Sequence, residues 1–190
     1  AFYYTNPEEP SPDIQLHFAF SMVDQHGLKK HGRGGFTCHI CVLRPKSVGS
    51  VKLADANPNS PPLIDPAFLK DERDLDTMLA GVKQAQQIMQ APSFDAHRGK
   101  ALYAGASNDD EELKEDIRNR ADTIYHPVGT CKMGPDSDPN AVVDQRLRVR
   151  GIKSLRVIDA SIMPKIVSGN TNAPSIMIGE KGAHMILEDA

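Results

Sequence analysis

From Asp13 to Phe20 apolar and polar positions alternate: Ile14, Leu16, Phe18 and Phe20 fall on one side, Gln15, His17 and Ala19 on the other. That period of two predicts a strand with one buried face. Phe36–Leu43, dense in β-forming residues, predicts a second strand, and Ser50–Ala54 a short third. Residues 5–12 hold three prolines and residues 55–66 hold four, so both read as loops. Residues 24–35, polar and with four glycines, read as a flexible loop. Helical periodicity takes over at 71–90, where Leu75, Met78, Leu79, Val82 and Met89 recur on one side with Ala80 and Ala85 beside them. Asp71 is placed to cap this helix, and Pro92 ends it. A second helix is expected over 109–121. Acidic residues open it, Arg118 and Arg120 close it, and Leu113, Ile117 and Ala121 form its stripe.

Beyond Ile124 the pattern breaks up. Leu147–Val149 and Leu155–Ile158 read as two short strands around Gly151, and residues 161–171 as a long loop. Pro174 is expected to open a last helix at its first position, with Ile176, Met177, Ala183 and Ile186 as its buried stripe. The sum is an α+β chain.

Composition narrows the function classes. Among 190 residues, 39% are hydrophobic and 25% charged, which is globular; with 5% aromatics and no Trp, aliphatic residues and Met fill the core. The net charge of −3 argues against a nucleic-acid footprint. No apolar run approaches the length of a membrane span. Three cysteines suit a reducing compartment better than a disulfide framework, so the cytoplasm is expected. No secretory leader is visible. The opening Ala1-Phe2-Tyr3-Tyr4 lacks an initiator Met and reads as mid-domain, so a piece of a longer protein is expected.

Three features lack a structural excuse. Cys38-His39-Ile40-Cys41 has half of a zinc-site spacing. On a strand, however, positions three apart face opposite ways, and no second ligand pair exists, so two buried small hydrophobes are expected and no metal. His126 precedes Pro127, which holds it extended, and Gly129 turns the chain just after. Such a histidine is presented rather than packed, and a plain surface-loop histidine is the alternative. Asn170 stands between Gly169 and Thr171 ahead of the last helix; helix capping is its bland role, a role Asn172 can also fill. The free N–H groups of that helix offer an anion site. Asp159-Ala160-Ser161 supplies small residues where a ligand could approach the backbone.

These motifs, in order, resemble the C-terminal signature of the glucose–methanol–choline oxidoreductases, and most nearly their choline dehydrogenase-like branch. The matching residues are Tyr125–Gly134, Val143-Asp144, Leu147–Val149, Gly151, Leu155–Pro164 and Gly169–Pro174. Upstream, Ile14–Phe18, Leu43–Ser47, Gly49–Val51 and Leu63–Pro66 are also similar. The resemblance implies FAD as cofactor and a small alcohol as substrate. It implies a substrate-binding domain over 1–122, an antiparallel sheet with flanking helices. Residues 123–190 would then hold the active-site loop and the strands and helix that complete the FAD-binding domain. The Gly-rich turn that opens the family's flavin domain is not in this sequence, so the N-terminal flavin portion of the same polypeptide is the expected partner. Apolar surface left without that portion points to self-association as a homo-oligomer.

Carried over by position, His126 matches the family's active-site histidine. Asn170 matches its second catalytic position, His in some members and Asn in others. Asp159 and Ala160 match the segment along the FAD pyrophosphate and ribityl chain. Asn172, Ala173 and Pro174 match the turn facing the pyrimidine end of the flavin, and His17 falls on a strand able to line the substrate cavity. One departure stands out: where the family often has Arg after the Ser of Arg44-Pro45-Lys46-Ser47, this chain has Val48, which questions a structural ion pair. The implied activity is oxidation of a primary alcohol, choline-like or other. A lyase of the same fold, an oxygen-using oxidase and a non-catalytic binding domain are the competing readings.

Overall fold

The computed structural model describes residues 1–32 and 34–189. The chain divides into two compact units, Ala1–Val48 with Ala67–Asp122, and Gly49–Pro66 with Thr123–Ala190.

The first unit is built on three antiparallel strands in the order β1 (Phe2–Tyr3), β2 (Ile14–Ala19), β3 (Thr37–Val42). The β2–β3 register pairs Leu16 with Ile40 and His17 with His39. Helix α1 (Glu72–Met89) lies on the face carrying Ile14, Leu16, Cys38, Ile40 and Val42, and contributes Ala85 and Ile88. Gly81 sets how closely it lies: a Cβ there would stand 2.8 Å from Ile40 Cγ2 and 2.9 Å from Ile14 Cδ1. The Tyr3 hydroxyl donates to the Gly81 carbonyl at 2.9 Å. Helix α2 (Asp110–Arg120) adds Leu113 and Ile117 to a second cluster with Leu75, Leu79 and Ala104. Both helices are capped by the aspartate just before them. Asp71 accepts from Arg73 N at 3.1 Å, and Asp109 from Glu111 N and Glu112 N at 2.8 and 3.0 Å.

The alternation along β2 overstates its burial. Ile14 and Leu16 are buried, but Phe18 is 43% and Phe20 93% exposed. Ala85 and Ile88 reach only the first half of the face. Phe18 packs locally instead, its ring centre 5.4 Å from Phe20, 5.3 Å from Phe36 and 6.3 Å from Phe94. Val48 is largely exposed. Its segment is held by the buried Asp74, whose carboxylate accepts from Lys46 N at 2.7 Å and Ser47 N at 2.8 Å. An arginine after Ser47 is not needed to satisfy that carboxylate.

In the second unit β4 (Ser50–Lys52) pairs antiparallel with β5 (Leu63–Asp65). β5 lies where a loop is expected, because Pro61, Pro62 and Pro66 flank it and mask three residues of strand. Gly49 is fixed by close approach: a Cβ would run into the Asp65 carbonyl oxygen and stand 2.7 Å from Pro66 C. Both are backbone atoms and cannot rotate away. Gly49→Ala is therefore expected to part this strand pair. Hydrogen exchange would show it as lost protection at Val51 and Ile64, with the β2–β3 amides unchanged.

The rest of this unit surrounds Val143, Leu147, Ile162, Met163 and Ile178. Leu147–Val149 and Leu155–Ile158 are not regular strands; they meet through the single bridge of Arg148 with Arg156, while Val149 bridges to Val143. Left-handed residues interrupt them, Leu147 at φ 64° and Ser154 at φ 59°. Helix α3 (Asn172–Glu188) begins two residues before Pro174, which takes the third helical position, still inside the turn where its missing N–H costs nothing. Its buried face also differs from the expected stripe. Ile178 and Gly182 are buried, whereas Ile176, Met177, Ala183 and Ile186 are exposed.

Candidate functional site

His126 owes its position to the loop around it. Tyr125 is left-handed at φ 65°, Pro127 restricts the chain, and Gly129 turns it at φ 91°. The loop is then pinned across to residues 161–162: Cys131 N donates to Ser161 O at 3.0 Å, and Met133 N to Ile162 O at 2.7 Å. Asp159 starts that opposite segment, its carboxylate accepting from Ser161 N at 2.7 Å to cap the short 3-10 turn Ala160–Ile162. Ser168, left-handed at φ 60°, lies just before Asn170. Val128, Ile162 and Met163 anchor both stretches in the same core.

The result joins two distant residues. The Asn170 side-chain nitrogen lies 2.6 Å from His126 Nε2. On the other side of the ring, His126 Nδ1 lies 3.0 Å from Thr171 Oγ1 and 3.4 Å from the Thr171 backbone N–H. Thr171 is buried, His126 half-buried and Asn170 exposed. A titratable imidazole and a non-titratable amide thus converge at the N-terminus of α3. This pairs a side chain capable of acid–base chemistry with one that can only orient.

Capping falls to neither asparagine. Thr171 occupies the cap position, and Asn172 is the first helical residue. No cap side chain accepts from the first turn of α3. Asn172 and Ala173 are exposed there, in the first turn, whose N–H groups have no partner within the helix and can serve an acceptor oxygen. Asp159 is exposed, and Ala160 is half-buried against the core. His17 belongs to the first unit, half-buried on β2 and paired across the sheet with His39. Cys38 packs toward Ile14 and Leu16; Cys38 and Cys41 are half-buried rather than buried, and burial pushes both thiols up. Thr171 is the residue that sequence reasoning passes over. A threonine ahead of a helix reads as an ordinary cap, and no local signal reveals that its hydroxyl faces a histidine 45 positions upstream.

Comparison with known proteins places the chain. The sequence profile of the GMC oxidoreductases matches residues 45–179. The chain belongs to the GMC oxidoreductase family. It is 49% identical over 187 residues to an alcohol dehydrogenase [acceptor] of Pseudomonas putida, covering 98% of this chain and 34% of that protein. It is 45% identical over 186 residues to the mitochondrial choline dehydrogenase of Homo sapiens, covering 97% of this chain and 31% of that one. Among solved structures, pyridoxine 4-oxidase from Mesorbium loti superposes with a TM-score of 0.89 at 27% identity, over 99% of this chain and 37% of its own. This GMC chain therefore spans about a third of the length of the relatives it matches. The family's cofactor is FAD. A helix start without a side-chain cap suits the carbonyl oxygens of such a group. No helix among the described residues is long and apolar enough to cross a membrane.

Proposed function

We propose that this chain is the C-terminal part of an FAD-dependent enzyme that oxidises a primary alcohol. The observation that carries the reading is the 2.6 Å approach of Asn170 to His126 Nε2 at the start of α3. Residues 1–122 would serve substrate binding, and residues 123–190 would hold the active-site loop and complete the flavin domain. Asn172, Ala173 and Pro174 would face the flavin ring, with Asp159 and Ala160 along its chain. FAD bound there supplies the two-electron acceptor for the hydride leaving the alcohol carbon. His126 takes the hydroxyl proton at Nε2, and a substrate oxygen seated against the pair accepts a hydrogen bond from the Asn170 amide. Asn170 has no proton chemistry of its own, so the acid–base work falls to His126.

The exposed side of α3 supports a missing portion of the same polypeptide. This helix is apolar on both faces, a pattern that calls for cover on both. Its outer side shows Ile176, Met177, Ile186 and Leu187 to solvent. The N-terminal flavin portion is the proposed cover, with self-association when it is absent. A reducing compartment, the cytoplasm, suits three free thiols.

An anaerobic visible spectrum of the complete polypeptide, before and after a panel of primary alcohols including choline, tests the reading. A flavin band that bleaches with one of them supports it. A flavin band that none bleaches favours a lyase of the same fold, and a folded protein without flavin overturns the enzyme reading. Asn170→Ala is expected to slow flavin reduction about tenfold, the worth of one orienting hydrogen bond. An unchanged rate would remove Asn170 from the substrate's environment.

A further inference from the structure

We infer that residues 25–31 form a strap that one buried carboxylate, Asp24, fastens over the side of the three-stranded sheet facing away from α1. Closed, the strap shields His39 of β3; it opens as a unit when the carboxylate no longer holds it.

Packing does not hold this segment. Gln25, His26, Leu28, Lys29 and Lys30 are exposed, Leu28 at 82%, and none of residues 25–31 joins a hydrophobic cluster of the first unit. Gln25 and His26 are left-handed at φ 46° and 55°, a conformation that side chains disfavour. Asp24, by contrast, is 7% exposed. A carboxylate at that depth needs partners, and they come from three places. From the strap, His31 Nε2 lies 2.9 Å and Lys29 Nζ 3.8 Å from Asp24 Oδ2. The Tyr103 hydroxyl donates to the same oxygen. From the end of α2, Arg120 stands 3.6 Å from Oδ1.

The partners also hold one another. Lys29 Nζ donates to the Tyr103 hydroxyl oxygen at 2.6 Å, so that hydroxyl accepts from the strap while it donates to Asp24. The Arg120 guanidinium lies 3.7 Å from the centre of the Tyr103 ring. His26 Nε2 meets Asp122 Oδ2 at 2.6 Å, a second tie between the strap and the residues after α2. The Tyr103 hydroxyl first, then His31, Arg120 and Lys29, hold the Asp24 carboxyl below the ordinary carboxylate range against its burial. Without that charge these partners lose their common acceptor, and the strap has no buried apolar side chain to keep it in place. Segments held in this way are the ones that open locally while the fold persists.

Register gives the side that the strap closes. Cys38 and Ile40 pack with α1, so His39 between them faces the other way, beside its cross-strand partner His17. There burial, followed by the charges of Arg120 and His26, holds the His39 imidazole below the ordinary histidine range.

Endoproteinase Lys-C acting on the complete polypeptide, with fragments identified by mass, tests the inference. Lys29 and Lys30 are its sites in the strap, and Lys83 on α1 reports whether the first unit stays folded. Asp24→Asn keeps the shape and removes the charge. It should speed cleavage after Lys29 and Lys30 about tenfold, because cleavage follows the population of the open form, with Lys83 unchanged. Modification of His39 by diethyl pyrocarbonate should rise in the same variant. Unchanged cleavage overturns the fastening by Asp24, and faster cleavage with no added modification of His39 overturns the shielding. Where Asp24→Asn also exposes Lys83, Tyr103→Phe decides, since it removes one donor and leaves the carboxylate in place. It should speed cleavage after Lys29 and Lys30 alone by about 2- to 10-fold, the worth of one hydrogen bond, and an unchanged rate overturns the inference.

Discussion

Replacing His126 with Ala in the complete flavin-loaded polypeptide should slow flavin reduction by an alcohol about 10²- to 10⁴-fold, the range that general base catalysis supplies. The reason lies in what remains after truncation. Asn170 can still donate a hydrogen bond to the substrate oxygen, but an amide cannot accept its proton at neutral pH. Thr171, the other neighbour of the ring, is a hydroxyl with no useful basicity. Cofactor retention should be unaffected, because the residues proposed to face FAD are Asp159, Ala160 and the first turn of α3. Rapid mixing with substrate without oxygen would give the rate, and the flavin absorbance of the same sample would give the occupancy. A near wild-type rate with full occupancy would mean that His126 is not the base. Loss of the flavin would mean instead that its ring supports the cofactor site.

The second large effect is structural. Gly182→Val should destabilise the second unit by about 1–3 kcal/mol, the usual cost of forcing added volume into a packed site. In an exposed helix, glycine is about 1 kcal/mol worse than alanine, so a mid-helix glycine wants a reason. The reason is Ile158. A Cβ at Gly182 would run into Ile158 Cγ2 and stand 2.9 Å from Ile158 Cδ1. α3 therefore seats directly against the segment that leads into Asp159 and Ala160. Overfilling the contact pushes the helix start, with Thr171 and Asn170, away from His126. Chemical unfolding of the single variant, of Ile158→Ala and of the double variant tests this as a cycle. The expected outcome is a double variant more stable than the sum of the two single effects predicts. Strict additivity would show that Gly182 and Ile158 do not oppose each other.

Several elements were legible because their signals are local. The stripe of Leu75 and Leu79 with a preceding Asp71 is enough to define α1, since both the period and the cap lie within one stretch. α2 is equally plain, with Asp109 at one end and Arg118 and Arg120 at the other. The last helix was legible in existence but not in orientation. When both sides of a helix are apolar, periodicity cannot say which side meets the core; contact with Ile158 chooses Gly182 and Ile178. β5 escaped because three residues between prolines carry no period, and only pairing with β4 makes them a strand. The expected strands at 147–149 and 155–158 failed for the opposite reason. Their residue types favour extended backbone, yet left-handed turns at Leu147 and Ser154 reduce them to single bridges.

The candidate site divides in the same way. His126 and Asn170 stand out in one dimension because Pro127 holds the histidine extended, and the one local duty of the asparagine, helix capping, is one that Asn172 can also fill. The order and spacing of the motifs around them sufficed for the family. Their meeting at 2.6 Å was not written in either stretch; it arises where the Cys131–Met133 segment pairs with residues 161–162 and brings the His126 loop to the start of α3. The sequence by itself determined the α+β class, the two capped helices, the family and the pair of residues proposed to carry the chemistry. Only the tertiary structure decided the buried face of α3, the strand pair closed by Gly49 and the turning of the Thr171 hydroxyl from capping to His126. Local propensities act over a few residues, whereas each of those outcomes depends on a close approach between segments well apart in the chain.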